Sequence, residues 1–188
     1  KQAKLNKLNM VIGAFFSEVG VSLLGLFSRC GTDSEEIRKE LLVTDKWTDR
    51  DFAAVSKRLR THDHKIDYRK IDFKVLRDFL TIKRNFMLRL LENPNLLEHE
   101  SFTELLRSVF HLTEELQSRK KIARQPASDY EHLAGDVKRA YTQLIREWLD
   151  YMEYLKDNYP YLFSLAMRTN PFDENASRTL VCAPALDD

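Results

Sequence analysis

The sequence has few residues that make tight turns, with five glycines and five prolines among 188 residues. Sandwiches and barrels of short strands need many such turns, whereas long helices need almost none. The two cysteines, Cys30 and Cys182, form no CxxC pair and have no histidine at zinc-ligand spacing. No glycine-rich phosphate loop and no GxSxG nucleophile motif is present. These absences favour an all-α protein and make an enzyme the minority expectation.

The overall charge is nearly balanced, with 30 Lys or Arg and 29 Asp or Glu, so it does not indicate a nucleic-acid-binding protein. The distribution is uneven, because residues 57–89 carry eleven basic and four acidic side chains. Such a segment can be a solvated face, a contact for an anionic membrane or a phosphate-binding surface. No DNA-reading or RNA-stacking motif accompanies it. We therefore expect no nucleic-acid partner.

Hydrophobic periodicity predicts a single helical bundle of six or seven helices over residues 1–173 and a C-terminal tail over residues 174–188. The nearly uniformly apolar helix over residues 5–27 is expected at the centre, which burial of Ile12, Phe15, Phe16, Val19 and Leu23 would verify. Later helices are predicted near residues 33–42, 48–61, 71–91, 101–119, 129–157 and 160–168. On the helix over residues 71–91 the predicted apolar stripe consists of Val75, Phe79, Ile82, Phe86 and Leu90, widened by Leu76, Leu80 and Met87. Predicted capping boxes join Thr32 to Glu35, Thr48 to Asp51 and Ser101 to Glu104.

The first helix is also long enough to be considered as a membrane span. Glu18 lies at mid-segment, and a carboxylate at the centre of a bilayer costs about 2.5 kcal/mol or more on insertion scales, so a buried helix of a soluble bundle is the better interpretation. In that setting Glu18 is expected to pair with an arginine from a neighbouring helix. The alternative is a carboxylate with a raised pKa that senses protons or binds a ligand.

Histidines offer two possible sites for a cation. His62-Asp63-His64, followed by Asp67, has suitable ligand types, but the surrounding loop is rich in lysine and arginine, and nearby positive charge disfavours cation binding. His111 and His132 lie on the polar sides of their predicted helices, as solvated surface residues would. We expect no metal and no cofactor, with an adventitious or interfacial metal as the alternative.

Three stretches together resemble a family of uncharacterised bacterial proteins that have membrane-spanning helices ahead of a cytoplasmic all-helical region. They are LNMVIGAFFSEVG at 8–20, RLLENPNLLEHESFTELLRSVFHLTEEL at 89–116 and REWLDYMEYLKDNYPYLFSLAMRTNPFD at 146–173. The resemblance implies a membrane anchor upstream of Lys1 and a location on the cytoplasmic side of the inner membrane. Lys1, Lys4 and Lys7 would then lie just inside the membrane. The resemblance implies no activity.

From these observations we expect a non-catalytic interaction or signalling module on the cytoplasmic face of a bacterial membrane. The alternative is a ligand-sensing or enzymatic bundle with a pocket near Glu18 and the tyrosine-rich C-terminal helices. Small residues along the first helix also allow a homodimer, unless they only admit a bulky neighbour of the same chain. The candidate binding residues are Glu18, Tyr159, Arg168, Asn170 and Phe172.

Phe172 follows Asn170-Pro171, where the proline restrains the preceding residue to extended geometry. The aromatic ring is therefore held in a fixed direction. It is expected either to pack back on the bundle as a C-terminal clamp or to be presented to a partner, and the clamp is the better interpretation.

Overall fold

The computed structural model describes residues 2–96 and 98–176, with side chains from residue 6 onward. Helix α1 is continuous and consists of Gln2–Phe15, a π-helical turn over Phe16–Gly20, and Val21–Phe27. Six more helices follow: α2 Ser34–Glu40, α3 Asp49–Thr61, α4 Phe73–Leu91, α5 Glu100–Ser118, α6 Ala127–Asn158 and α7 Pro160–Arg168. A short 3-10 turn covers Tyr68–Lys70, and the described residues contain no β-strand. The predicted all-α bundle is confirmed, and residues 177–188 of the predicted tail lie outside the described residues.

Helix α6 is the common partner of the bundle. It has 32 residues, which is about 48 Å of helix, and it contacts α1, α3, α5 and α7, while α4 packs on α5. Its apolar residues recur every three or four positions and bury one side of the helix along nearly its whole length. Among the fully buried members are Leu133, Val137, Leu144, Ile145 and Met152.

Helix α1 packs into this core by the side chains that the sequence indicated. The ring of Phe15 meets Phe102 of α5 edge to face at 5.3 Å, and Phe16 stacks on Tyr151 of α6 at 5.5 Å. The outward side remains exposed, and Met10 is 75% accessible. All five residues chosen to verify the arrangement are buried: Ile12, Phe15, Phe16, Val19 and Leu23.

One segment of the described chain, Asn6–Phe27, is long and apolar enough to cross a membrane, with 22 residues and a mean hydropathy of 1.9. Within its 18-residue window 44% of the residues are buried inside the protein. The core helix of a soluble bundle has the same length and composition. A membrane span and a buried core helix can therefore have the same length and hydropathy.

Two glycines of α1 admit neighbours from the same chain. A Cβ atom at Gly13 would lie 2.6 Å from the hydroxyl oxygen of Tyr151, and one at Gly20 would lie 2.5 Å from Cδ1 of Phe16. Gly25 has no such neighbour within 4 Å. Close packing inside the bundle therefore accounts for Gly13 and Gly20 without a second copy of the chain.

Two predicted helix starts are confirmed. Thr48 caps α3 through a complete capping box, in which its backbone N–H donates to Asp51 at 2.7 Å and its side chain accepts from the Asp51 amide. Pro160 occupies the first turn of α7, where its missing N–H and fixed φ are tolerated.

The other two predicted capping boxes are wrong. Helix α2 has Asp33 as its N-cap residue, without a side-chain capping bond. Thr32 lies one residue earlier, and its amide donates instead to the carbonyl of Lys65 at 3.1 Å. Helix α5 is capped by His99, whose Nδ1 accepts from the amide of Phe102 at 3.2 Å, so the helix begins before Ser101. In both cases a neighbouring residue provides the start that the Thr or Ser motif predicted.

The buried face of α4 is rotated relative to the stripe that the sequence indicated. Val75 is 50% exposed and Ile82 is 77% exposed, although both belong to the predicted main stripe. Leu76, Leu80 and Met87, which were expected only to widen that stripe, are buried. Two adjacent apolar stripes compete on this helix, and the position of α5 decides which one enters the core.

Candidate metal centre

A short backbone bridge joins two loops that are distant in sequence. Gly31, just after α1, pairs with Ile66, which lies between α3 and α4. The amide of Asp67 donates to the carbonyl of Cys30 at 2.9 Å, beside the bond from Thr32 described above. A Cβ atom at Gly31 would lie 3.0 Å from Oδ1 of Asp33, so this close approach favours glycine. The bridge brings the segment that begins α2 against the segment that follows α3.

This bridge assembles Asp33, His62 and His64 into one cluster. Nε2 of His62 contacts Oδ2 of Asp33, and the two imidazole rings lie 4.7 Å apart. Each of the three residues offers a ligand atom, and these atoms all lie within 4.8 Å of one another. Two imidazoles and one carboxylate form a ligand set for a divalent transition metal.

His64 is the unusual member of the cluster. It is 1% exposed, its ring packs against Tyr141 at 5.2 Å, and neither ring nitrogen has a hydrogen-bond partner among the described residues. Burying polar groups without partners is costly, typically about 1 to 3 kcal/mol each in proteins. Burial, with a contribution from the charge of His62, lowers the pKa of His64 to about 4. At neutral pH its imidazole is therefore uncharged and has a free lone pair.

The acidic residues of the His62–Asp67 loop are engaged elsewhere. Asp63 forms an ion pair with Lys138 of α6, and Asp67 binds the side chain of Arg69 at 2.9 Å. The carboxylate of the cluster is instead Asp33, from the other side of the bridge. The sequence pattern around His62 included no residue from that segment, so the pairing with Asp33 was missed.

A cavity of about 320 Å³ opens beside His62, between α2 and α3. An ion pair between Arg58 and Glu40 at 3.3 Å lies on its wall. Asp33 and His62 retain 22% and 32% of their side-chain exposure, so solvent reaches one side of the cluster while His64 closes the other. The cavity leaves room for a water molecule or a small ligand beside His62, the one cluster residue that lines it.

The predicted site residues Glu18 and Tyr159 do not share a pocket. Glu18 is half-exposed and pairs with Lys83 of α4 at 2.9 Å, so the buried partnership with an arginine predicted for it is wrong. Tyr159 packs against Tyr154 at 5.9 Å. A separate apolar groove of about 230 Å³ lies between α1, α6 and α7, and neither Glu18 nor Tyr159 lines it.

The predicted C-terminal residues form a strap on the bundle, which we define as residues 170–174. Asn170 donates from Nδ2 to the carbonyl of Leu41 at 2.8 Å and accepts from the amide of Phe172 at 2.9 Å. Phe172 is 2% exposed and meets Trp148 edge to face at 5.2 Å, as the clamp interpretation predicts. Arg168 is half-buried and ends α7 just before the strap.

The fold and the cluster of Asp33, His62 and His64 define a helical-bundle domain with potential metal ligands in its loops. The chain belongs to the family described as "Uncharacterized protein MJ1433, C-terminal helical domain", whose model matches residues 4–168. It is 48% identical over 176 residues to "Uncharacterized protein MJ1433" from Methanocaldococcus jannaschii, and the match covers 94% of this chain and 70% of that protein. No solved structure matches the chain.

The relative is archaeal, so the bacterial origin that the sequence resemblance implied receives no support from it. The family description agrees with the resemblance on two points, an all-helical region and no assigned activity. The membrane anchor is part of neither description.

Proposed function

We propose that this domain binds a divalent transition-metal ion through Asp33, His62 and His64. The single observation that carries the proposal is His64, a buried and neutral imidazole with two unpartnered nitrogens beside a carboxylate and a second imidazole. A bound metal would satisfy one of these nitrogens and compensate the charge of Asp33. Nitrogen ligands favour ions such as Zn²⁺, Fe²⁺ or Co²⁺ over Mg²⁺ and Ca²⁺.

Three protein ligands leave an open position on the metal, which is typical of catalytic rather than structural zinc sites. Of the three proposed ligands, His62 lines the neighbouring cavity, which has room for a bound water. A metal-bound water there would have a lowered pKa and could act as a nucleophile. If the domain is an enzyme, we therefore propose that its active site is this centre rather than a pocket near Glu18.

Removing a ligand should weaken metal binding without unfolding the chain. We expect Asp33→Asn and His62→Ala each to lose one bound equivalent of Zn²⁺, because each removes one of only three protein ligands. The fold should survive, since both side chains are partly exposed and neither caps a helix through a side-chain bond. Calorimetric titration of chelator-treated protein with Zn²⁺ measures this loss, and the visible spectrum of the Co²⁺ form reports the ligand set.

His99→Asn is the matched control, because it removes a histidine outside the cluster while asparagine remains a good helix cap. This variant should bind Zn²⁺ as the wild type does. Unchanged stoichiometry and affinity in both cluster variants would contradict the proposal.

A second function is favoured by the exposed side of α1. We propose that the domain also serves as a non-catalytic interaction or signalling module held at the cytoplasmic face of a membrane, where copies of the chain can associate as dimers. Support comes from the apolar character of Asn6–Phe27, from lysines at positions 1, 4 and 7, and from the length of the archaeal relative, 30% of which lies outside the match.

Fractionation of the full-length native gene product checks this second function. We expect the product to sediment with membranes, to resist extraction by alkaline carbonate, and to elute at dimer mass by light scattering after detergent extraction. Recovery in the soluble fraction would contradict the membrane location, and a concentration-independent monomer mass would contradict the dimer.

A further inference from the structure

A second set of potential ligands spans the interface between α5 and α6, which pack against each other. His111 and Glu115 lie one turn apart on α5, and His132 and Asp136 lie one turn apart on α6. Residues four apart lie on the same side of a helix. Each helix therefore presents one imidazole and one carboxylate to the other, and we name these four residues the α5/α6 cluster.

Nitrogen and oxygen atoms alternate around the α5/α6 cluster. Nε2 of His111 lies 3.8 Å from Glu115 and 3.7 Å from Asp136. Nε2 of His132 lies 3.7 Å from Glu115 and 3.5 Å from Asp136. Two ligands of a tetrahedral Zn²⁺ ion, with bonds of about 2.0 to 2.2 Å, are roughly 3.3 to 3.6 Å apart. Three of the groups, His111, Glu115 and Asp136, offer ligand atoms that all lie within 4.8 Å of one another, and His132 lies close to both carboxylates.

Asp136 provides an independent indication of a missing ligand. Its side chain is 4% exposed, and Oδ2 is buried with no hydrogen-bond partner among the described residues. Arg139 binds the other oxygen, Oδ1, at 2.7 Å, and Oδ2 faces His132, whose Nε2 lies 3.5 Å away. A buried carboxylate oxygen without a partner is rare in folded proteins, and a cation between the helices would satisfy it.

The histidines are exposed enough to adjust to an ion, since His111 and His132 retain 48% and 55% of their side-chain accessibility. The carboxylates are held more firmly. Arg119 binds Glu115 at 2.7 Å and also forms two bonds to Asp129. Its guanidinium lowers the pKa of Glu115 and keeps that group ionised. The α5/α6 cluster therefore combines two carboxylates, each held by an arginine, with two half-exposed imidazoles.

We infer that His111, Glu115, His132 and Asp136 form a separate Zn²⁺-type site that ties α5 to α6. Four protein ligands are the usual number for a structural zinc site, in contrast to the three at Asp33. This site shares no residue with the proposed centre at Asp33. Either site can fail without affecting the argument for the other.

Zinc titration of the Asp33→Asn protein isolates the inferred site. One equivalent of Zn²⁺ should remain bound and should raise the melting temperature, because an ion bound only to the folded state stabilises it. Adding His132→Ala should remove that equivalent and abolish the temperature shift. Adding His99→Asn instead should leave both unchanged.

Two results would overturn the inference. One is an Asp33→Asn protein that binds no Zn²⁺, which would leave the α5/α6 cluster as an ion-pair network only. The other is a remaining equivalent that persists in the His132→Ala and His111→Ala proteins, which would place the metal elsewhere. Both histidines are about half-exposed, so circular dichroism of the variants should show an intact helical fold.

Discussion

Replacing Phe172 with alanine is expected to lower the free energy of unfolding by about 3 to 5 kcal/mol, the range for buried phenylalanines. The ring is 2% exposed and is buried against Trp148 of α6. Its removal would leave a cavity over that helix. The backbone amide at position 172 donates to Asn170, which in turn donates to the carbonyl of Leu41, so losing the buried ring also weakens the anchor that holds these hydrogen bonds in place. Urea denaturation monitored by circular dichroism measures the change.

Tyr161→Ala is the control for this measurement. Tyr161 is 71% exposed on α7, and truncation of an exposed side chain usually changes stability by less than about 0.5 kcal/mol. A Phe172→Ala protein as stable as the Tyr161→Ala protein would contradict the clamp. Loss of a partner without loss of stability would instead indicate that Phe172 is a presented ligand.

The strap also connects parts of the fold that are distant in sequence. Glu174 forms an ion pair with Arg38 of α2 at 2.5 Å. Phe172 packs against Trp148 of α6, and Asn170 donates to the carbonyl of Leu41 at the end of α2. The Glu174 side chain is exposed, so this ion pair contributes little to stability. The buried ring and the Asn170 hydrogen bonds therefore provide most of the attachment.

Helix positions followed from local sequence signals because each is determined within one or two turns. The 3.6-residue period of α6 and the proline that begins α7 are examples, and both elements lie where the sequence predicted them. The choice of buried stripe on α4 was not predictable in the same way. Ile82 and Leu80 are equally apolar, and only the packing of α5 exposes the first and buries the second.

The candidate sites were harder to predict because their members come from different segments. Asp33 reaches His62 only through the pairing of Gly31 with Ile66, and a long-range backbone bridge has no local sequence signature. The α5/α6 cluster did leave a signal. His111 with Glu115 and His132 with Asp136 are both histidine–carboxylate pairs at helical spacing. A second such pair on a neighbouring antiparallel helix was sufficient reason to consider them together.

The pH dependence of stability should reveal the environment of His64 in metal-free protein. Its pKa of about 4 in the folded state lies below the ordinary value of 6.5, so the unfolded chain binds this proton more readily. Well above pH 6.5 the imidazole is neutral in both the folded and the unfolded state, so its protonation does not affect the free energy of unfolding. As the pH falls from 6.5 to 4, folding loses stability, and the loss is complete below 4. A difference of this size corresponds to roughly 3 kcal/mol.

His64→Phe isolates this contribution, because phenylalanine retains a ring against Tyr141 but cannot be protonated. Urea denaturation of both proteins between pH 4 and 8, in the presence of a chelator, gives the difference in their free energies of unfolding. The other titratable groups of the chain remain in both proteins, so their direct contributions largely cancel. The difference between the two free energies of unfolding should be constant above about pH 7. As the pH approaches 4, the wild type should lose roughly 3 kcal/mol of stability relative to the variant. We expect this divergence because His64 is buried without hydrogen-bond partners. If the free energies of unfolding of the two proteins instead changed in parallel from pH 4 to 8, His64 would be protonated as easily in the folded protein as in the unfolded chain, and the prediction would be wrong.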